Sequence, residues 1–229
     1  MVRKTLLVAA TAAAAVTALT GCNTVNNLLT ERTETVEYYR IYDIKTDAKI
    51  KPVVDAALTG LTYTTTPRVQ RHIPTWKELP DEPGRFSTAD VFSSNSNFAR
   101  LMASAGSGIP KVATCDGAVW TAVANRDTTT HGAKLYACLW PYKGGYHLDM
   151  FATFTKVSGG LSELSRQASY TMVGTPEQWV EKMLLDAPRE IRKATGAKVT
   201  IVEAYPEVGE TTWLDEGDAI EDKSTNGKF

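Results

Sequence analysis

Hydrophobic and polar residues follow two periods along this chain, one typical of strands and one typical of helices. Residues 36–44, VEYYRIYDI, are dense in β-branched and aromatic side chains, which predicts a buried strand. Apolar residues then repeat at helical spacing over residues 50–58, and Gly60 follows where a helix commonly ends. Residues 61–66, LTYTTT, predict a second strand, so the chain opens as a β-α-β unit.

The middle and the end of the chain predict a sheet flanked by helices. Three alternating segments, residues 112–124, 133–142 and 146–157, predict consecutive antiparallel strands. A helix is expected before them, from Ser87 or Thr88 to Gly106.

A second helix is expected after the three strands. Thr175-Pro176-Glu177-Gln178 forms a capping box, and the stripe behind it ends at Gly196 with Pro188 as a kink. Residues 198–205 predict a last strand. The pattern therefore predicts a single α+β domain: a mainly antiparallel sheet with a central three-stranded meander and two or three helices packed on one face.

The N-terminus has the anatomy of a secretory signal, because Arg3 and Lys4 precede an uncharged apolar run over residues 6–19. The run leads into Leu19-Thr20-Gly21-Cys22, which resembles the lipobox of bacterial lipoproteins. That resemblance implies cleavage before Cys22, a diacylglyceryl thioether on its sulfur and usually an acyl chain on the new amino terminus. One acyl chain holds a protein to the membrane only marginally, so two or three acyl chains are needed for a stable anchor. The alternative is that Cys22 is an ordinary buried thiol.

The lipobox divides the chain into four parts. Residues 1–21 are the cleaved signal peptide, and residues 22–35 are the lipidated N-terminus and a polar, flexible tether. Residues 36–206 are the globular domain, and residues 207–229, with seven acidic residues against two lysines, are expected to be a disordered tail. Asn23, by the same resemblance, points to a bacterial envelope protein in the outer membrane, facing the periplasm or the cell surface.

Charge excludes one class of partner. Without Arg3 and Lys4, the 25 basic residues become 23 against 26 acidic ones, a net charge of −3. No basic block is present, so nucleic-acid binding is not expected. No other apolar run approaches 18 residues, so we predict attachment to the membrane through the lipid alone.

Two cysteines remain in the domain, Cys115 and Cys138, and an even number in an oxidising compartment favours a disulfide. If they face each other directly, Arg126-Asp127 form a two-residue turn and Trp120 lies on the opposite face from Cys138. A zinc site would need two more ligands, and the nearest histidines show no such pattern. We therefore expect neither a metal nor a cofactor.

The candidates for chemistry lie on the third strand of the meander. His147 and Asp149 are two residues apart, so both side chains project from one face of the strand. The alternation of apolar and polar residues predicts that this face is exposed to solvent. They could share a substrate, or they could be ordinary polar groups on a solvated surface. Tyr142 and Tyr146 flank the preceding turn and are possible binding residues. With Trp120, Tyr136 and Trp140 they could form a platform for a peptide or a sugar, or simply pack in the core.

Familiar catalytic motifs are missing from the sequence. There is no G-x-G-x-x-G, Walker A, H-E-x-x-H or C-x-x-C, and no serine lies in G-x-S-x-G. We therefore expect a structural, binding or accessory role without catalytic residues, with another envelope protein or a cell-wall component as partner. The alternative is an anchored periplasmic hydrolase or other enzyme that uses the strand face around His147 and Asp149.

Overall fold

The computed structural model describes residues 31–72, 78–90, 111–127, 132–160 and 162–208. Within these ranges it contains eight strands and three helices. The strands are β1 (Arg32–Lys45), β2 (Thr66–Arg71), β3 (Ser87–Asp90), β4 (Lys111–Thr114), β5 (Trp120–Asp127), β6 (Gly132–Tyr142), β7 (Gly145–Ser158) and β8 (Lys198–Tyr205). The helices are α1 (Ile50–Thr62), α2 (Glu163–Val173) and α3 (Pro176–Thr195).

Six strands form one antiparallel sheet in the order β2-β5-β6-β7-β1-β8, and β3 pairs with β4 in a separate sheet. Strand β1 lies inside the large sheet, between β7 and β8, as its apolar residues on both faces require. Strands β5, β6 and β7 lie side by side. The predicted α+β class with a mainly antiparallel sheet is confirmed.

Helices α1 and α3 pack on one face of the sheet and bury the main core against it. Both helices are amphipathic, and the apolar stripe predicted for α3 faces inward. The core side chains that α1 and α3 contribute include Val53, Val54, Ala57, Leu61, Val180, Met183, Leu184, Ala187 and Ile191. They meet alternate residues of the strands, such as Tyr42 and Leu148, so the two periods in the sequence meet in one core.

Helix α3 begins and ends as the sequence predicts. The backbone N–H of Gln178 donates to Thr175 Oγ1 at 3.3 Å, and the backbone N–H of Thr175 donates to Gln178 Oε1 at 2.9 Å. Gly196 follows the helix in the left-handed region, with φ of 66°. The helix continues through the buried Pro188 to Thr195. Helix α2, whose sequence is mostly polar, was not predicted.

The predicted strand at residues 61–66 is wrong, because α1 continues past Gly60 to Thr62. A Cβ at Gly60 would lie 2.4 Å from the backbone oxygen of Asp186 in α3. This glycine therefore allows close approach of two helices and does not end one. The next strand, β2, begins only at Thr66.

Two further boundaries differ in the middle of the chain. Ser87 and Thr88 begin strand β3, so the predicted start of a helix there is wrong, and residues 91–106 of that helix lie outside the described residues. The predicted strand 112–124 is divided into β4 and β5 by a turn in which Gly117 has φ of 78°. Glycine is the residue that adopts this conformation without strain.

The ends of the predicted domain also differ. Strand β1 begins at Arg32, so the last residues assigned to the tether belong to the sheet. Cys22 and the predicted signal peptide lie outside the described residues, as does the predicted tail from residue 209 onward.

The disulfide between Cys115 and Cys138 is present, as predicted, but the register proposed with it is wrong. Cys138 on β6 lies opposite Thr121, and Arg126 and Asp127, the predicted two-residue turn, belong to strand β5. Cys115 instead reaches Cys138 from the turn before β5. The partner of Cys138 moves by six residues, an even number, so the predicted faces are preserved and Trp120 lies on the helix side.

Candidate functional site

The face of the sheet away from the helices carries the predicted site. Around β7 this face is buried, so the prediction that it is exposed to solvent is wrong. Asp149 is 1% exposed and Phe151 is 2% exposed. Residues 79–87, which we call the strap, cover this face. The ring of Phe86 lies 5.7 Å from that of Phe151 and 5.6 Å from that of Tyr39 on β1. The alternation along β7 could not reveal this second layer, because the strap comes from a distant part of the chain.

The strap is attached to the sheet at several points. Pro80 accepts a hydrogen bond from the backbone N–H of Lys143 at 3.0 Å, in the turn between β6 and β7. Gly84 lies against the indole of Trp140, where a Cβ would be 2.3 Å from Cδ1. Arg85 forms an ion pair with Glu203 on β8 at 2.6 Å. These contacts join the strap to β6, to the turn behind it and to the edge strand.

Asp149 lies directly beneath the strap. Its Oδ2 accepts a hydrogen bond from the backbone N–H of Phe86 at 3.0 Å, while its buried Oδ1 has no partner among the described residues. Burial raises the pKa of Asp149 to about 7, although the Phe86 N–H and the charge of Arg85 oppose this shift. Asp149 is therefore a carboxyl group that loses its proton near neutral pH.

His147 belongs to a different group of polar residues at the end of the same face. Its cross-strand neighbour on β1 is Asp43, with Nε2 and Oδ1 3.9 Å apart. The hydroxyl of Tyr142 donates to Asp43 Oδ1 at 2.6 Å and accepts from Lys45 Nζ. Lys45 Nζ also lies 3.2 Å from Asp43 Oδ2. We call these four residues, Asp43, Lys45, Tyr142 and His147, the β1 cluster.

Burial sets the protonation of this cluster. It lowers the pKa of His147 below its usual value, against the opposing charge of Asp43. It also raises the pKa of Tyr142, and so does the hydrogen bond that Tyr142 donates to Asp43. His147 is therefore neutral at pH 7, and its ring meets that of Tyr142 edge to face at 5.6 Å.

The structure brings only part of the predicted site together. His147 and Tyr142 meet in the β1 cluster, whereas Asp149 contacts the strap. Tyr146 points to the helix side, where its hydroxyl donates to the backbone oxygen of Ala48 at 2.7 Å. All five aromatic residues of the possible platform are buried, so core packing accounts for them.

Three charged residues of this face were missed in the sequence. The period of two places Asp43 and Lys45 on one face of the first strand, which was a usable signal for a polar end to that strand. The pairing of Asp43 with His147 follows from the β1–β7 register, which no local pattern encodes. Arg85 lies in a proline-rich segment without periodicity, so nothing local indicated its approach to Glu203.

The β1 cluster has the elements of proton transfer, since a neutral imidazole beside a carboxylate can take up a proton.

Among the described residues, no group of three histidine, cysteine or acidic side chains is placed to hold a metal ion. None of the helices in the described part of the chain is long and apolar enough to span a membrane. No protein-family model matches the chain, and no curated protein matches it.

Proposed function

We propose that this protein is a bacterial envelope lipoprotein, held to the membrane by lipid on Cys22, that works by binding another envelope component rather than by catalysis. The observation that carries the proposal is the lipobox Leu19-Thr20-Gly21-Cys22 behind an uncharged apolar run. The Cys115–Cys138 disulfide supports it, because such bonds persist in compartments outside the cytosol.

The geometry of the polar face agrees with a role in binding. Asp149 is covered by the strap, and Asp43 accepts hydrogen bonds from within its own cluster. The side chains that suggested chemistry in the sequence therefore have partners inside the protein: Asp149 contacts the strap, and His147 packs against Tyr142 in the β1 cluster. The partner we propose is an envelope protein or a cell-wall component, and the location is the outer membrane, facing the periplasm or the surface.

Lipidation tests the proposal directly. With a palmitate analogue in the growth medium, the wild-type protein should be labelled and Cys22→Ala should not, because the thioether needs the Cys22 sulfur. Thr24→Ala, two residues after Cys22, is the matched control and should be labelled like the wild type. Label retained by Cys22→Ala, or absent from the wild type, would contradict the assignment. Crosslinking on intact cells followed by purification would then identify the partner.

One observation favours the alternative of an anchored periplasmic enzyme: His147 lies beside Asp43, and the cluster is only partly covered. If the protein acts by binding alone, His147→Ala should restore wild-type growth to a strain that lacks the gene. His72→Ala, at an exposed histidine, is the matched control. Failure of His147→Ala alone, at normal abundance, would favour the enzyme.

A further inference from the structure

We propose that the strap is a pH-sensitive latch, released from the sheet when Asp149 loses its proton. The latch is independent of the anchoring and binding proposed above. It is a property of residues 79–87 and of the sheet face beneath them.

The buried carboxyl group is the centre of the latch. Asp149 Oδ2 has one donor, the backbone N–H of Phe86, and Oδ1 is enclosed without a partner among the described residues. A neutral acid tolerates this environment much better than an anion, which has lost its water and gained a single hydrogen bond. Lifting Phe86 would readmit water to both oxygens, so ionisation of Asp149 and closure of the strap oppose each other.

The surrounding charges do not remove this conflict. From the strap, Arg85 favours the anion, but its guanidinium donates to Glu203 on β8, whose charge has the opposite effect. On the same face, β1 contributes Tyr39 and Asp43, and β6 contributes the phenol of Tyr136. On β7 itself, His147 is neutral at pH 7 because burial lowers its pKa. The cation that favours an ionised Asp149 is therefore Arg85, which is already paired with Glu203.

The direction of the pH effect follows from the raised pKa of Asp149. An exposed aspartate has a pKa near 3.8, while Asp149 under the closed strap has one of about 7. At acid pH both states carry the proton and closure is at its strongest. Between these two values the open state is ionised while the closed state keeps its proton, so closure weakens as the pH rises. Once the pH has risen through 7, this contribution to closure is lost.

The rest of the second layer stays in place when the strap lifts. Strand β3 continues directly from the strap and pairs with β4, and Ser87 Oγ lies 2.7 Å from Thr114 Oγ1. The disulfide joins Cys115, just after β4, to Cys138 in the sheet. The release is therefore local, and a measurement at Phe86, before β3 begins, reports it.

Amide hydrogen exchange of the strap tests the latch. In the wild type, the protection of the Phe86 amide, corrected for intrinsic exchange, should fall by about tenfold or more between pH 5.5 and 8.5. In Asp149→Asn the same protection should be independent of pH, because the amide does not ionise. Asp81→Asn, an exposed strap carboxylate paired with Lys143, is the matched control and should retain the wild-type response.

Two results would overturn the latch. One is wild-type protection that does not change with pH, and the other is an equal fall in Asp149→Asn. Should that variant fold poorly, the Asp149 carboxyl carbon can be titrated by NMR in the wild type. A titration midpoint well above pH 4, with the NMR signals of Phe86 changing over the same pH range, supports the latch. A midpoint near pH 4 contradicts it.

Discussion

Arg40 shows how a single charged residue can hold several elements together. It is fully buried, at 0% exposure, on the helix side of β1. Its Nη1 donates to the backbone oxygens of Tyr39 and Tyr205, each at 2.8 Å, and its Nη2 donates to Glu181 on α3. The guanidinium therefore joins β1, the end of β8 and α3, which explains how a permanent charge is accommodated in the interior.

Removing this charge should destabilise the fold strongly. Arg40→Ala leaves Glu181 and three backbone oxygens, those of Tyr39, Tyr205 and Pro206, without this donor. We expect a loss of about 3 kcal/mol in the free energy of unfolding. Lys51→Ala removes an exposed ion pair with Asp55 and should cost less than about 1 kcal/mol. Urea unfolding of both variants measures the difference. Equal stabilities would mean that the buried pair contributes no more than the exposed one.

Asp149 and His147 are both shifted by burial, yet they affect stability in opposite directions. The raised pKa of Asp149 gives stability that is present at acid pH and lost as the pH rises through 7. The lowered pKa of His147 gives stability that is present above its usual value of 6.5 and lost as the pH falls through its folded value. In whole-protein unfolding these two contributions oppose each other, whereas exchange in the strap follows Asp149.

At the scale of elements, the contact between α1 and α3 depends on Gly60. Its Cα approaches the backbone of α3 so closely that a Cβ would lie 2.6 Å from the Cα of Ala187. Helices packed this closely bring their backbones into contact, and the strand residues beneath them fill the remaining space. The same glycine suggests the end of a helix when only the sequence is considered.

Gly60→Ala should therefore destabilise the protein, although alanine inside a helix is normally favoured over glycine by about 1 kcal/mol. The new methyl group meets backbone, which cannot rotate away, so we expect a net loss of about 1–3 kcal/mol. Gly132→Ala is the matched control, since nothing lies within 4 Å of its Cβ position. Thermal unfolding compares the two, and a Gly60→Ala protein as stable as the wild type would refute the close contact.

At the scale of the molecule, the described residues form three layers: helices α1 and α3, the large sheet, and the strap with the β3–β4 sheet. The first two share the main core, while the third is held by aromatic contacts, hydrogen bonds and the disulfide. The disulfide closes the loop between Cys115 and Cys138. It should add about 3 kcal/mol to the free energy of unfolding, because it limits the conformations of the unfolded chain. The third layer is thus attached covalently through Cys115, and at the strap through non-covalent contacts that include the titratable Asp149.

The sequence by itself determined the features that depend on neighbouring residues. The period of two placed His147 and Asp149 on one face, the capping box fixed the start of α3, and the cysteine count predicted the disulfide. Only the tertiary structure decided what covers that face and which residues meet there. Asp43 reaches His147, and Phe86 reaches Asp149, across separations of 104 and 63 residues. Such contacts depend on strand order and register, which are set by how the whole core packs, and no local pattern carries that information.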